Sequence, residues 1–219
     1  QRVTSGAKDA FAPIEEAIAT EFLPALFDMP PEEIAPHRAL LSLSVRRAGL
    51  GIPIPTDTAE RCHGTSLAST RPLIDSLLSG EPLDLHNYLR MTGDKRRKAA
   101  AERQEYEEEV FQALLLLLPH STKRRLNRVK EAGTWLSTMP NLLNGTVLTA
   151  EEFRDSLRLR YGFAPARLPS HCDGCASRFN VEHALSCKKG GLVLLCHNDV
   201  AGEWHDLCAK ALTPSVVSN

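Results

Sequence analysis

Three cysteines and a histidine lie within sixteen positions near the C-terminal end of the sequence. Cys172 and Cys175 have the Cys-x-x-Cys spacing of a tight turn that directs two thiolates at one ion, and His183 and Cys187 form a second pair one helical turn apart. Four such ligands complete the tetrahedron that zinc prefers. So small a module cannot bury enough apolar surface to order itself, so we expect Zn²⁺ to supply much of its folding free energy, on the order of 10 kcal/mol.

Two other interpretations of these cysteines stay open at this point. They could be thiols that happen to lie in one loop, or a redox Cys-x-x-Cys, although the strand that normally precedes such a motif is missing. A disulfide framework is less favoured because the opening residues QRVTSGAKDAFAP lack the basic and apolar regions of a signal peptide. We therefore expect an intracellular protein with reduced cysteines.

Two groups of cations have the chemistry to contact phosphate. Arg178, Lys188 and Lys189 surround the predicted zinc site. The second group lies on one predicted helix and consists of Lys123, Arg124, Arg125 and Arg128, followed by Lys130. Both groups predict contacts with RNA or DNA. The alternative is a solvated basic face, or one neutralised by the acidic run at residues 105–109.

Two histidines after the zinc segment raise further alternatives. His197-Asn198 with His205 could belong to a histidine-dependent nuclease, and Cys196, His197, His205 and Cys208 could form a second metal site. The segment GEWHDLCAKAL has helical periodicity, whereas such a nuclease needs a hairpin. We expect Cys196 and Cys208 to be small buried apolar residues instead.

Composition sets the class of protein. The chain has 219 residues, of which 42% are hydrophobic and 24% charged, and its formal net charge is −1. These values are typical of a folded chain with more than one domain, and they give no overall electrostatic preference for a partner. The longest apolar run, residues 113–118, is too short to span a bilayer, so we expect no membrane contact.

Helical periodicity dominates the rest of the chain. Apolar residues at spacings of three and four predict a helix over 9–27 that bends or ends at Pro24. A second helix is expected to start at a capping box formed by Asp57 and Glu60, and Pro72 is expected to divide it into two short helices.

Three more helices follow in the prediction. The first has basic residues 95–98 at its start, which oppose the helix dipole and indicate a solvated or ligand-facing end. The second runs over about 121–135, and the third starts at a capping box formed by Thr149 and Glu152. The predicted fold class is mainly α, a multi-helix body followed by a small Cys-Cys-His-Cys zinc-binding module. We expect helical regions at 1–83 and 84–166, and the zinc module with a C-terminal helix at 167–219.

Three stretches resemble one known family. The run HCDGCASRFNVEHALSCKKGGLVLLCHNDV resembles the cysteine-histidine segment near the C-terminus of non-long-terminal-repeat retrotransposon polyproteins, downstream of the reverse transcriptase palm and thumb. VRRAGLGIPI is similar to the phrase after the thumb, with Ala48 where a glycine is usual, and WLSTMPNLLNGTVLTAEEFRDSLRLRYGF is similar to the lead-in before the zinc segment. The likeness covers most of the chain from about Leu41. It implies that the four residues of the quartet are zinc ligands, and that the parent polyprotein is an RNA-directed DNA polymerase.

The sequence also departs from that family. No Tyr/Phe-x-Asp-Asp motif occurs in it, so the carboxylates that would hold catalytic magnesium are absent. Only 32 residues follow Cys187, too few for the restriction-like nuclease that follows in relatives. We therefore expect a non-catalytic fragment of a reverse transcriptase polyprotein that positions template RNA or target DNA and works with the rest of that polyprotein, in the nucleus of a eukaryotic cell. The competing hypothesis is a zinc-shaped protein-interaction module.

Overall fold

The computed structural model describes residues 5–143, 145–189 and 192–212, and only the backbone of Leu192. It divides into two compact units, Gln1–Phe163 and Ala164–Asn219. The first unit holds the regions predicted as 1–83 and 84–166 up to residue 163, and the second begins three residues before the predicted zinc module.

Helices of very different lengths build the first unit. In chain order they are α1 (Ala12–Ala17), α2 (Leu23–Phe27), α3 (Pro31–Ile34), α4 (Arg38–Ser42), α5 (Pro55–Ser79), α6 (Leu85–Leu117), α7 (His120–Val129) and α8 (Ala150–Tyr161). Short 3₁₀ segments lie at Asp9–Phe11, Ala35–His37, Val45–Arg47 and Thr134–Ser137.

The predicted helix over 9–27 continues past Pro24. A π-helical turn at Ile18–Phe22 joins α1 to α2, with the Leu23 N–H bonded to the Ile18 carbonyl. A π turn is wider than an α turn, so it gives room for a proline ring that would otherwise meet the carbonyl of the preceding turn. The chain therefore keeps a helical path where the sequence predicted a bend or an end.

The predicted start and division of α5 are wrong. The helix begins at Pro55 with no side-chain cap, and the predicted box of Asp57 and Glu60 does not form. A proline at the first helical position has no N–H that would need an acceptor. The helix also continues through Pro72 as one element of 25 residues. Pro72 cannot donate to the carbonyl of Ala68, and Lys95 of α6 donates to that oxygen instead, with an Nζ–O distance of 2.5 Å.

The basic residues 95–98 do not lie at a helix start. α6 begins ten residues earlier, at Leu85, where the Asp84 carboxylate caps it by accepting from the Asn87 N–H at 3.0 Å. Lys95 supports α5, while Arg97 and Lys98 form exposed ion pairs within the helix with Asp94 and Glu102. The predicted ligand-facing helix end is therefore a mid-helix segment.

One hydrophobic core holds α2, α3, α4, α6, α7 and α8 together. Its buried side chains are Leu23, Phe27, Ile34, Leu40, Leu41, Leu43, Ala48, Phe111, Leu126, Leu157 and Tyr161. α8 is fixed at its N-terminus by the predicted capping box, in which the Glu152 N–H donates to the Thr149 hydroxyl at 3.2 Å and the Thr149 N–H donates to the Glu152 carboxylate at 2.8 Å. This prediction is confirmed.

A tight loop after α4 packs onto this core. Ala48 is fully buried and left-handed, with φ +63°. The Leu50 N–H donates to the Leu41 carbonyl at 3.1 Å and the Gly51 N–H to the Leu43 carbonyl at 2.7 Å, so the loop folds back on the end of α4. At Gly49 a β-carbon would overlap the Leu43 carbonyl.

The second unit contains two helices beside the cysteine turn, α9 (Val181–Ser186) and α10 (Leu192–Leu212). Among the described residues the only pairing of extended segments is an isolated antiparallel bridge between His171 and Arg178. The predicted fold class, mainly α with a helical body followed by a small Cys-Cys-His-Cys module, is confirmed. No helix in the described part of the chain is long and apolar enough to cross a membrane.

The close approach at Gly49 generates a stability prediction. Gly49→Ala should lower the free energy of unfolding by about 3 kcal/mol or more, because the new methyl group overlaps backbone atoms that cannot rotate away. Chemical denaturation followed by circular dichroism measures the change.

Gly64→Ala is the matched control. Gly64 lies inside α5 and nothing stands within 4 Å of a β-carbon built there, so alanine should raise the unfolding free energy by about 0.5–1 kcal/mol. Equal effects of the two substitutions would contradict the packing of the loop against α4.

Candidate metal centre and cationic surfaces

The four predicted ligands converge on one point. The ligand atoms of Cys172, Cys175, His183 and Cys187 all lie within 4.8 Å of one another. Cys187 Sγ stands 3.8 Å from both Cys172 Sγ and Cys175 Sγ, and Cys175 Sγ stands 3.2 Å from His183 Nε2. Metal–sulfur bonds of about 2.3 Å in a tetrahedron separate two sulfur atoms by about 3.8 Å. The cluster therefore has the donor set and the spacing for a tetrahedral ion.

A short turn brings the first two cysteines together. The Ala176 N–H donates to the Cys172 carbonyl at 2.8 Å, and the Cys172 N–H donates to the Ser177 carbonyl at 2.9 Å. The Phe179 N–H donates to the Ser170 carbonyl at 3.0 Å and closes the base of the turn. These bonds fix both thiol groups on one side of the backbone.

Helix α9 and the residue that follows it supply the other two ligands. The Asn180 side chain caps the helix by accepting from the His183 N–H at 2.7 Å, and the Cys187 N–H donates to the His183 carbonyl at 2.8 Å. The histidine and the cysteine consequently stand one turn apart on one face. The Phe179 ring contacts the His183 ring edge-on, with 5.9 Å between ring centroids, and limits its orientation.

The electrostatics of the protein atoms favour a cation at this point. Hydrogen bonds from the His183 side chain and from the backbone N–H groups of Gly174 and Cys175 lower the pKa of Cys172. Hydrogen bonds from Ser177 lower the pKa of Cys175 to about 6. Because thiolates are the ligands that a metal needs, this backbone prepares the first cysteine pair for binding.

The second pair titrates differently. A hydrogen bond with Cys172, together with the charge of the neighbouring thiolates, raises the pKa of His183 despite some desolvation. At Cys187 a hydrogen bond to the Lys189 backbone lowers the pKa, but burial and the adjacent sulfur atoms outweigh it and the net direction is upward. The negative charge of neighbouring thiolates contributes to both shifts, and a bound cation would compensate that charge.

The cysteine turn contains one strained residue and little apolar packing. Ala176 has a left-handed backbone, with φ +60°. A β-carbon in this conformation is strained by roughly 1–2 kcal/mol. Of the apolar side chains near the turn, Leu185 is 68% exposed, while Phe179 and Val181 are half-buried.

The cations around the module are available to a partner. Arg178, Lys188 and Lys189 are exposed, and their side chains form no ion pair with any described residue. Gly190 and Gly191, which complete the Cys-Lys-Lys-Gly-Gly motif, lie outside the described residues.

The cations of α7 lie on two faces of the helix. Arg124, Arg125 and Arg128 line a depression of about 300 Å³ together with Ser121 and Val129, here called the arginine pocket. Lys123 lies half-buried on the opposite face of the helix. Ser121 was not predicted, although its position shows in the sequence, because residues 121, 124, 125 and 128 follow the i, i+3, i+4, i+7 spacing of one helical face.

The acidic run 105–109 does not neutralise the pocket. Glu108 pairs with Arg47 at 2.5 Å and Glu107 with Arg103 at 3.7 Å. None of the three pocket arginines forms a hydrogen bond or ion pair with a residue in the described ranges.

The residues of the two histidine alternatives do not converge. Cys196 and Cys208 lie on the single helix α10, twelve residues and therefore about 18 Å apart, so they cannot join His197 and His205 around one ion. The same helix occupies the segment where the nuclease would need a hairpin. The expectation that both cysteines are buried is wrong, because the side chains of α10 are almost all exposed.

No protein-family model, curated protein or solved structure matches this chain.

The cluster generates a prediction about metal content. Protein purified without chelators should carry close to one transition-metal ion per chain, and Cys172→Ser should lose it because only three ligands remain. Native mass spectrometry and elemental analysis measure both.

Cys208→Ser is the control for losing a thiol. Cys208 is a free, exposed cysteine outside the cluster, so this variant should keep the full metal content. Metal loss from both variants, or a parent protein without metal, would show that the four side chains are not a metal site.

Proposed function

We propose that this chain binds RNA or DNA through a zinc-stabilised module and the basic face of α7, as a non-catalytic positioning fragment of a retroelement reverse transcriptase polyprotein. The observation that carries the proposal concerns two groups of cations, those of the zinc module and those of the arginine pocket. Neither group has intramolecular partners among the described residues, and both are attached to ordered elements. The sequence resemblance supports the polyprotein assignment. In a eukaryotic cell this role belongs to the nucleus.

Zinc is the ion that this donor set favours. Three cysteines and one histidine match structural zinc sites, in which all four positions are protein ligands and none is open for a substrate. The ion would therefore serve folding and not catalysis. When bound, it compensates the charge that the four ligands crowd together and fixes the turn at Cys172 relative to α9.

The module cations gain from this rigidity. Arg178 follows the cysteine turn directly, and Lys188 and Lys189 follow the last ligand. Cations that are tethered to a fixed centre lose less conformational freedom on binding than cations on a free chain. Their exposure leaves them able to contact phosphate groups without reading base sequence.

Salt dependence tests the role of the module. Replacing both Lys188 and Lys189 by alanine should weaken binding of RNA and DNA to a similar extent for all sequences. It should also flatten the slope of log affinity against log salt by about one to two units, because each lost phosphate contact removes roughly 0.7–0.9. Fluorescence anisotropy with labelled oligonucleotides at several salt concentrations measures both effects.

A variant with alanine at Arg71 and Arg97 is the charge-matched control. Both arginines are exposed and lie on α5 and α6, each paired with an aspartate on its own helix. This variant should keep the parent slope. A parent protein that binds no nucleic acid at low salt, or equal slopes for all three proteins, would contradict the proposed function.

The exposed apolar side chains of α10 favour a second candidate, a zinc-shaped protein-interaction module. Leu194, Val200, Trp204 and Leu207 are each more than half exposed. An apolar docking surface differs from a phosphate contact in being insensitive to salt. Partner binding that persists at high salt and is lost in Trp204→Ser would favour this candidate over nucleic-acid binding.

A further inference from the structure

The arginine pocket concentrates positive charge in a depression. Arg124 and Arg128 are four residues apart on α7, and Arg125 lies between them on the same face, so three arginines line one depression of about 300 Å³. Like charges at these spacings repel each other on a helix surface. Without an anion, this arrangement destabilises the helix that carries it.

The start of α7 carries positive charge, as the arginines of the pocket do. The helix begins after Pro119 with no capping side chain and no acidic residue in its first turn. The unpaired N–H groups of a first turn carry partial positive charge, and Ser121 of that turn lines the pocket. An anion in the pocket would therefore relieve two unfavourable features of one helix.

The side chain of Arg125 lies against the end of α8. α8 ends at Gly162, which is left-handed with φ +90°, and the Arg125 guanidinium lies so close to it that a β-carbon there would overlap Nη1. Glycine thus permits both the turn and the position of the guanidinium.

The number of donors indicates which anion fits. A guanidinium offers a planar fork of N–H donors that matches the oxygens of a phosphate, and three forks together with the Ser121 hydroxyl exceed what the two free oxygens of a phosphodiester accept. A terminal phosphate has three free oxygens and a charge of about −1.5 to −2 at neutral pH. It is also able to enter a depression that a continuous strand passes over.

We propose that the arginine pocket binds the terminal phosphate of a nucleic-acid strand. This assignment rests on the proposed function, since it names which part of the nucleic acid the α7 surface recognises. The module cations contact the strand non-specifically, and the pocket adds recognition of its end.

Matched oligonucleotides test the assignment. Single strands of one sequence are prepared with a 5′-phosphate, a 3′-phosphate or hydroxyl groups at both ends, and their affinities for the full chain are compared by anisotropy. One of the phosphorylated strands should bind at least about ten-fold more tightly than the hydroxyl strand, because charge-assisted hydrogen bonds add more than one factor of ten. Inorganic phosphate should compete away this difference.

Two variants locate the effect. With glutamine at both Arg124 and Arg128 the preference for the phosphorylated end should vanish while the hydroxyl strand still binds. Glutamine at both Arg71 and Arg97 removes the same charge elsewhere on exposed helix surface and should keep the preference. Circular dichroism verifies that both variants fold.

The outcomes separate this inference from the proposed function. If all three strands bind equally and with the expected salt slope, nucleic-acid binding stands and the strand-end assignment is wrong. If no strand binds, the proposed function fails and the assignment fails with it. A preference that survives in the Arg124 and Arg128 variant would place the end-binding site elsewhere and would also overturn the assignment.

Discussion

Three polar side chains at the end of α8 hold the first unit together by donating to backbone carbonyls of distant segments. Arg158 Nε donates to the Phe27 carbonyl at 2.7 Å, and the Tyr161 hydroxyl donates to the Ala48 carbonyl at 2.9 Å. Arg160 donates to the carbonyls of Val129 and Val45. All three side chains are buried, so these bonds form where water cannot replace them, and leaving such a carbonyl unpaired costs about 1–3 kcal/mol.

The irregular backbone around Ala48 depends on these bonds. The Ala48 carbonyl, at the left-handed residue that follows the 3₁₀ turn Val45–Arg47, accepts from no backbone N–H of the described residues. Tyr161 of α8 supplies the missing donor, and burial raises the pKa of Tyr161 to about 12, so its hydroxyl keeps its proton over the physiological range. The capping box at Thr149 fixes where α8 starts, and therefore where its last turn falls.

The cysteine turn of the second unit is stabilised in a different way from the first unit. Its cysteine turn has no comparable core, since Phe179 and Val181 are only half-buried, and its long helix α10 is almost wholly exposed. An ion bound by the four side chains would stabilise this turn as buried arginines and aromatic rings stabilise the first unit. Loss of one ligand would then remove the centre of the turn, whereas loss of one hydrogen bond in the first unit would only lower its stability.

Local patterns could be predicted from the sequence, and compensations between distant residues could not. The two ligand pairs, Cys172 with Cys175 and His183 with Cys187, and the Thr149 box depend on spacings of three or four residues, so the sequence itself indicates their local geometry. The division of α5 at Pro72 was predicted wrongly because the compensating donor, Lys95, lies on another helix 27 residues away. The bond from Arg158 to the Phe27 carbonyl, 131 residues earlier, could not be predicted for the same reason. Such pairs become visible only when the packing of helices is known.

The two cation sets also differ in kind, and the difference follows from side-chain chemistry. The pocket of α7 is built from arginines, whose planar forks bind oxygen pairs in a fixed geometry, and the module adds mainly lysines, which are flexible point charges. A surface that has only to hold a strand needs charge, and lysine provides it with little directional demand. A surface that has to distinguish one phosphate from another needs the directional donors of guanidinium groups, and in the described part of the chain α7 presents three arginines on one face.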